Sequence, residues 1–271
     1  MNKLLILSDL DKTIIDRNYK LTAKISDFLS VIKRAQNKGH LVGLHSDTPL
    51  SVLVEWANKF NMNGPIIGEN GSVARISKAI EPITIAPKDR SIRWKALRRE
   101  ISFFLVSNGY LVVDTNDYLG YLEQKYPAKA GEKMIIVNGC REHSLAYYVR
   151  SVITDGSLVK DVLLFKKVND LVLKKFPLLK DTDQDLNPDY TLSIFVSKGA
   201  NKANAMPVLR SYFPNHKIIM IGDGTGDIVM HDNVDALYAV SNAVSGLKSV
   251  ADKVAIRAVT EGVIEIINDI I

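Results

Sequence analysis

Leu4-Leu5-Ile6-Leu7-Ser8-Asp9-Leu10-Asp11-Lys12-Thr13-Ile14-Ile15 (residues 4–15) decides how the chain is read. An apolar run that breaks abruptly into charge fits a buried parallel strand emerging from a core. Residues two apart on a strand share a face, so this pattern places Asp9 and Asp11 side by side at the strand's end. In an open α/β sheet, that edge is where ligands bind. Two carboxylates about 4 Å apart repel by about 4 kcal/mol at an effective dielectric near 20. The pair therefore calls for a shared proton or a cation. The competing explanation is an ordinary polar turn, because Asp and Thr are common turn and cap residues.

Working outward, Thr22 is placed to cap a helix with Ile25, Phe28, Leu29, Ile32 and Ala35 on one face, and Gly39 to close it. Residues 41–44 form a second short strand that stops at His45, Ser46 and Asp47. Thr48-Pro49 marks a helix start with proline at the first helical position. Pro65 opens a third strand that runs into Gly68-Glu69-Asn70-Gly71. Strand, helix, strand, helix, strand with short loops indicates a doubly wound parallel sheet. From about Ile83 the order changes. The patterns read as a helix over 94–105, strands over 111–114, 118–124 and 134–137, and a helix over 141–153, with 161–189 unassigned. After Lys198 the first rhythm returns: a helix over 201–212, a strand over 217–221 breaking into Gly222-Asp223-Gly224-Thr225-Gly226-Asp227, a strand over 236–240, and helices over 244–250 and 262–271. The expected architecture is an α/β, Rossmann-like core from residues 1–84 and 193–271, with an α+β insertion over 85–192.

The 271 residues suffice for one large domain or two smaller ones, and 46% hydrophobic and 24% charged residues suit a soluble globular chain. Nothing approaches an 18-residue apolar run, which argues against a membrane span, and the N-terminal run is too short for a signal peptide. The single cysteine, Cys140, excludes an intramolecular disulfide and suggests a reducing, cytoplasmic setting. A net charge of +5 permits an anionic partner without requiring nucleic acid, since Lys and Arg are dispersed along the chain.

Polar strand ends recur at Asp9 and Asp11, at Ser46, and at Asp223 and Asp227. In a parallel sheet such ends share one edge. Carboxylates gathered there suit a hard cation, which takes oxygen ligands. A serine at a helix start and a lysine, Lys198 or Lys202, suit an anion such as phosphate. Each feature alone also has a plain explanation: a turn, a cap, or a core histidine with its hydrogen bonds satisfied at His45. Their agreement in order and context carries the reading.

With those residues in view, the chain resembles the haloacid dehalogenase (HAD) superfamily of phosphatases, in its Cof-type, sugar-phosphatase branch. Asp9-Leu10-Asp11-Lys12-Thr13 matches a DxDxT motif, Ser46 the strand-ending Ser/Thr, Gly199-Ala200-Asn201-Lys202 the lysine motif, and Gly222 to Asp227 a GDxxxD motif. Glu69-Asn70-Gly71, Ser241-Asn242-Ala243 and Glu261-Gly262-Val263 are similar to further elements of that branch. The resemblance implies Asp9 as nucleophile and Asp11 as general acid and base. It implies Ser46 and Lys202 as phosphate ligands. It also implies Mg2+ on Asp9, the Asp11 backbone carbonyl and Asp223, with Asp227 as ligand or orienter. The insertion resembles a cap that selects a small phosphorylated metabolite, a sugar phosphate or phosphoglycolate-like acid. Glu123, Gln124, Lys125 and nearby tyrosines are its candidate substrate contacts. The implied protein is cytoplasmic, a monomer or small homo-oligomer. The alternatives are a phosphotransferase of the phosphomannomutase type and a non-catalytic ligand-binding module. Departures from the branch are Lys12 for glycine, His45-Ser46-Asp47-Thr48 for A-T-G-R, and Gly226 for asparagine.

Overall fold

A computed structural model describes residues 3–85, 92–117, 120, 122 and 129–271. The chain packs as two compact units, Met1–Ala86 with Ala200–Ile271 and Pro87–Gly199.

In the first unit the opening apolar run is β1 (Lys3–Ser8), with Leu5, Ile6 and Leu7 fully buried. Helix α1 (Ile25–Asn37) buries Phe28, Val31, Ile32 and Ala35 and ends at Gly39, whose φ of 82° suits a residue without a side chain. Its start differs from the expected one. Lys24 is the N-cap, and the Thr22 N–H instead donates to Thr260 Oγ1. Next come β2 (Leu41–His45), α2 (Leu50–Lys59), β3 (Ile66–Gly68), β4 (Val73–Arg75) and β5 (Ile83–Thr84). Pro49 is the cap of α2 rather than its first helical residue.

The second unit contains α3 (Trp94–Ser107), β6 (Leu111–Thr115), β7 (Lys133–Asn138), β8 (Ser144–Val152), β9 (Leu158–Lys160), α4 (Val162–Lys175), β10 (Asp183–Asn187) and β11 (Leu192–Val196). Its sheet runs β10-β11-β8-β7-β6, with β9 on β8. Trp94, Leu97, Ile101 and Leu105 of α3 and Phe165, Val168 and Val172 of α4 pack with Ile135, Val137, Tyr147 and Phe195. The helix expected over 141–153 is instead the strand β8. Its Leu145 to Val149 stretch is buried on both faces, so the alternation that marks a half-exposed strand is absent. The strand expected over 118–124 and the candidate contacts Glu123, Gln124 and Lys125 lie outside the described residues, except that Gly120 and Leu122 are helical. The boundary expected at 192/193 falls at Gly199/Ala200, because β11 pairs antiparallel with β8.

The chain then returns to the first unit through α5 (Met206–Tyr212), β12 (His216–Gly222), β13 (Ala236–Ala239), α6 (Ser245–Val250), β14 (Lys253–Val254) and α7 (Val259–Ile270). The first turn of the helix expected over 201–212 is a separate 3-10 turn, Lys202–Ala205, and Pro207 lies at the start of α5. The sheet order is β14-β13-β12-β1-β2-β3-β4-β5, parallel from β14 to β3 and antiparallel beyond. One face packs Ile6 and Leu10 with α1, α2 and α7, and the other packs Leu5 and Leu7 with α5 and α6. Helices on both faces make it doubly wound. The order reverses around β1, where Ser8 pairs with Ile221 on one side and Leu44 on the other. Three strand ends therefore meet where such sheets bind ligands. Among the described residues no helix is long and apolar enough to cross a membrane.

Candidate active site

Asp9 follows β1 directly, and its N–H donates to the Ile221 carbonyl at 2.8 Å. Its Oδ1 lies 3.1 Å from the Lys202 ammonium, an ion-pair contact rather than an aligned hydrogen bond. Burial pushes the Asp9 carboxyl up to about 7; Lys202 pulls it down, while Asp227, Asp223 and Asp11 push it up in that order. The repulsion from Asp11 that the strand pattern suggested is thus the weakest of these influences. The reason is local. β1 ends at Ser8, and Lys12 takes a left-handed φ of 61°, so Asp11 leaves the strand geometry.

Asp11 is held from another side. Thr48 Oγ1 donates to its Oδ2 at 2.7 Å. Burial raises the Asp11 pKa, the Thr48 hydrogen bond lowers it, and the nearby Asp47 charge raises it. Thr48 was expected only at a helix start, and its actual role follows from the pairing of β1 with β2.

Asp223 and Asp227 come from the loop after β12. Burial, then the Asp227 charge, pushes Asp223 up to about 6, against the hydrogen bond from Thr13 Oγ1 at 3.0 Å. Asp227 turns back on its own loop: Oδ2 accepts from the N–H groups of Asp223 and Gly224 at 3.0 Å each. Its Oδ1 takes the Lys202 ammonium at 2.6 Å. Gly222 makes room for this, because a Cβ there would stand 2.4 Å from Asp227 Cγ. Gly226, by contrast, has open space around its missing Cβ. Lys202 lies buried between Asp9 and Asp227, which together raise its pKa against the opposing effect of burial. Lys198 is exposed in the second unit.

Ser46 is buried, its N–H donating to the Ile67 carbonyl at 3.0 Å, and its hydroxyl lies 3.4 Å from that of Thr48. His45 departs from expectation. It is fully buried, yet neither ring nitrogen has a hydrogen-bond partner, and desolvation followed by the Lys202 charge keeps its pKa far below the usual imidazole range.

One carboxylate oxygen each from Asp9, Asp223 and Asp227 lies within 4.8 Å of the others. Such an oxygen-only, multiply negative donor set fits a hard divalent cation. Asp9 and Asp223, both with raised pKa, are the two whose charge is least compensated. The Asp11 carboxylate does not join this cluster. Two further residues brace the loops. Asn242 donates from Nδ2 to the Lys12 carbonyl at 2.8 Å and accepts from the Val259 N–H at 2.9 Å. Thr260 Oγ1 donates to the Ile14 carbonyl. The motifs include Thr13 and Asn242 and the helix start includes Thr48, but none of these patterns gives the partner each residue meets, and nothing local marks Thr260.

The family model of haloacid dehalogenase-like hydrolases matches residues 6–267. A phosphoglycolate phosphatase of Thermoplasma volcanium is 24% identical over 266 residues, 97% of this chain and 96% of that protein. A haloacid dehalogenase-like hydrolase from Bacteroides thetaiotaomicron superposes with a TM-score of 0.67 at 19% identity, covering 99% of this chain and 100% of that one. A HAD subclass IIB sugar phosphatase superposes with a TM-score of 0.56 at 14% identity, covering 93% of each chain. The two structures carry the fold, and the family match spans nearly the whole sequence. The chain belongs to the haloacid dehalogenase-like hydrolases.

Proposed function

We propose that this enzyme is a Mg2+-dependent phosphatase that hydrolyses a small phosphorylated metabolite through an aspartyl-phosphate on Asp9. The observation that carries the reading is the buried Lys202 ammonium, 3.1 Å from Asp9 and 2.6 Å from Asp227. It brings a fixed positive charge to the acid that must attack an anion.

The Asp9 carboxylate attacks phosphorus while the bond to the leaving oxygen breaks, and Asp11 gives that oxygen its proton. Asp11, now ionised, then takes a proton from the water that attacks the phospho-aspartate, which releases phosphate and restores Asp9. A raised pKa suits Asp11 to carrying that proton. Ser46 Oγ and Lys202 Nζ hold the phosphoryl oxygens as charge spreads over them. Asp9, Asp223 and the Asp11 backbone carbonyl would hold Mg2+, which would supply charge that keeps Asp9 ionised and offsets the transferring group. Asp227 acts as orienter, since both its oxygens already serve Lys202 and the loop N–H groups.

Residues 87–199 act as the substrate-selecting cap. A sugar phosphate or a phosphoglycolate-like acid is the substrate class, by analogy with the sugar phosphatase and phosphoglycolate phosphatase relatives. The enzyme works in the cytoplasm as a monomer or small homo-oligomer. Purified protein should release phosphate from a metabolite panel with Mg2+, and lose that activity with chelator or with Asp9→Asn. Failure to turn over any member of a broad panel would overturn the reading, and normal turnover by Asp11→Asn would remove Asp11 from its role.

A further inference from the structure

Ser46 and Lys202 stand on separate loops, and one short turn touches both loops. Glu69, Asn70 and Gly71 follow β3 with φ of 48°, 56° and 84°. Left-handed backbone is disfavoured for most residues with a side chain, asparagine being the tolerant exception, so Glu69 holds this shape against its own preference. Such a conformation persists where its surroundings over-determine it. On one side, the Glu69 N–H donates to the Thr48 carbonyl at 3.2 Å and the Asn70 N–H to the Ser46 carbonyl at 3.3 Å. On the other, Asn70 Nδ2 donates to the Ala200 carbonyl at 3.1 Å. Gly71 approaches the lysine loop so closely that a Cβ would stand 2.4 Å from the Asn201 carbonyl oxygen and 3.2 Å from the Lys202 Cα.

We propose that Glu69-Asn70-Gly71 is a positioning strut that sets the spacing between the Ser46 hydroxyl and the Lys202 ammonium, and so the affinity for the phosphoryl group. This rests on the reading of Ser46 and Lys202 as phosphate ligands. Two donors that meet one phosphoryl group act at full strength only in a narrow geometry, and a misplacement of about 1 Å can cost about a hundredfold in rate. Asn70 has no direct part in the chemistry; it acts through Lys202.

Asn70→Gly tests this, because it removes the amide yet leaves a residue that takes positive φ freely. The measurements are calorimetric titration of inorganic phosphate with Mg2+ present, and kcat and KM for p-nitrophenyl phosphate. Asn70→Gly should weaken phosphate about fivefold to tenfold, as for loss of one positioning hydrogen bond, with a matching rise in KM. In a Lys202→Ala background the same substitution should change phosphate affinity little, because the group it positions is gone. Ser46→Ala serves as the second background if Lys202→Ala is too unstable to purify, with the same loss of additivity expected. Wild-type affinity in Asn70→Gly, or an equal loss in every background, would overturn the strut. Unchanged phosphate affinity in both Lys202→Ala and Ser46→Ala would overturn the phosphate reading beneath it.

Discussion

Replacing Asp9 by Asn should make the metal-free protein more stable, and more so at pH 7 than at pH 5. Asp9 is buried, and its carboxyl is pushed from 3.8 up to about 7, first by burial and then by the charges of Asp227, Asp223 and Asp11. In the unfolded chain it ionises near its ordinary value. A raised pKa of this kind contributes stability that is present at low pH and is lost as pH rises toward the folded value. Between pH 5 and pH 7 the unfolded chain has already lost the proton that the fold still holds. Each pH unit well below the folded value costs about 1.4 kcal/mol, and because the proton is half lost at pH 7 the window costs about 2 kcal/mol in all. Three histidines run the other way. His40, His45 and His216 all have lowered pKa values, so the fold gains stability from them as pH rises toward the ordinary imidazole value. The raw pH profile therefore mixes opposing slopes, and the quantity to read is wild type minus Asp9→Asn. Thermal unfolding in chelator should show the variant's advantage growing by roughly 4–8 °C from pH 5 to pH 7, at about 2–4 °C per kcal/mol for a chain of this size. Mg2+ should raise the wild-type midpoint at pH 7 and shrink the difference, because a bound cation favours the ionised carboxylate. A difference that stays constant across the two pH values would refute the argument.

Other perturbations follow from the same geometry. Thr48→Val removes the hydroxyl that holds Asp11 at 2.7 Å; turnover of alkyl phosphates should fall about tenfold, with a smaller loss for p-nitrophenyl phosphate, whose leaving group needs no proton. Lys202→Met leaves two buried carboxylates without their cation, which should cost about 3–5 kcal/mol in denaturant melts at pH 7 and abolish phosphate release. Lys12→Gly relieves a φ of 61° and should raise stability by about 1 kcal/mol in the same melts; an unchanged midpoint would mean that the Lys12 side chain compensates.

Much of the fold was legible in the chain because its signals are local. The apolar run before Asp9, the stripe of Phe28, Ile32 and Ala35, and the glycine after α1 are patterns within a few residues, and the helices and strands of the core follow them. At β8 burial on both faces erases the alternation that would identify a strand, and the pattern there mimics a helix. The core boundary also shifts, because nothing local tells Leu192–Val196 that its partner is β8.

The site divides along the same line. Asp9, Asp11, Ser46, Lys202, Asp223 and Asp227 were each marked by a polar break or a motif, and the parallel order of the strands predicted a shared edge. The chemical environment of each acid was not marked. Adjacent numbers suggested that Asp9 and Asp11 oppose one another, yet the fold gives Asp9 to Lys202 and gives Asp11 to Thr48. Thr13 reaches Asp223 across 210 positions, and Asn70 reaches the lysine loop across 130. Sequence by itself determined which residues end the strands, because side-chain polarity and strand period act over neighbours. Only the tertiary structure decided which charge meets which, because that depends on the register of β1 between β2 and β12.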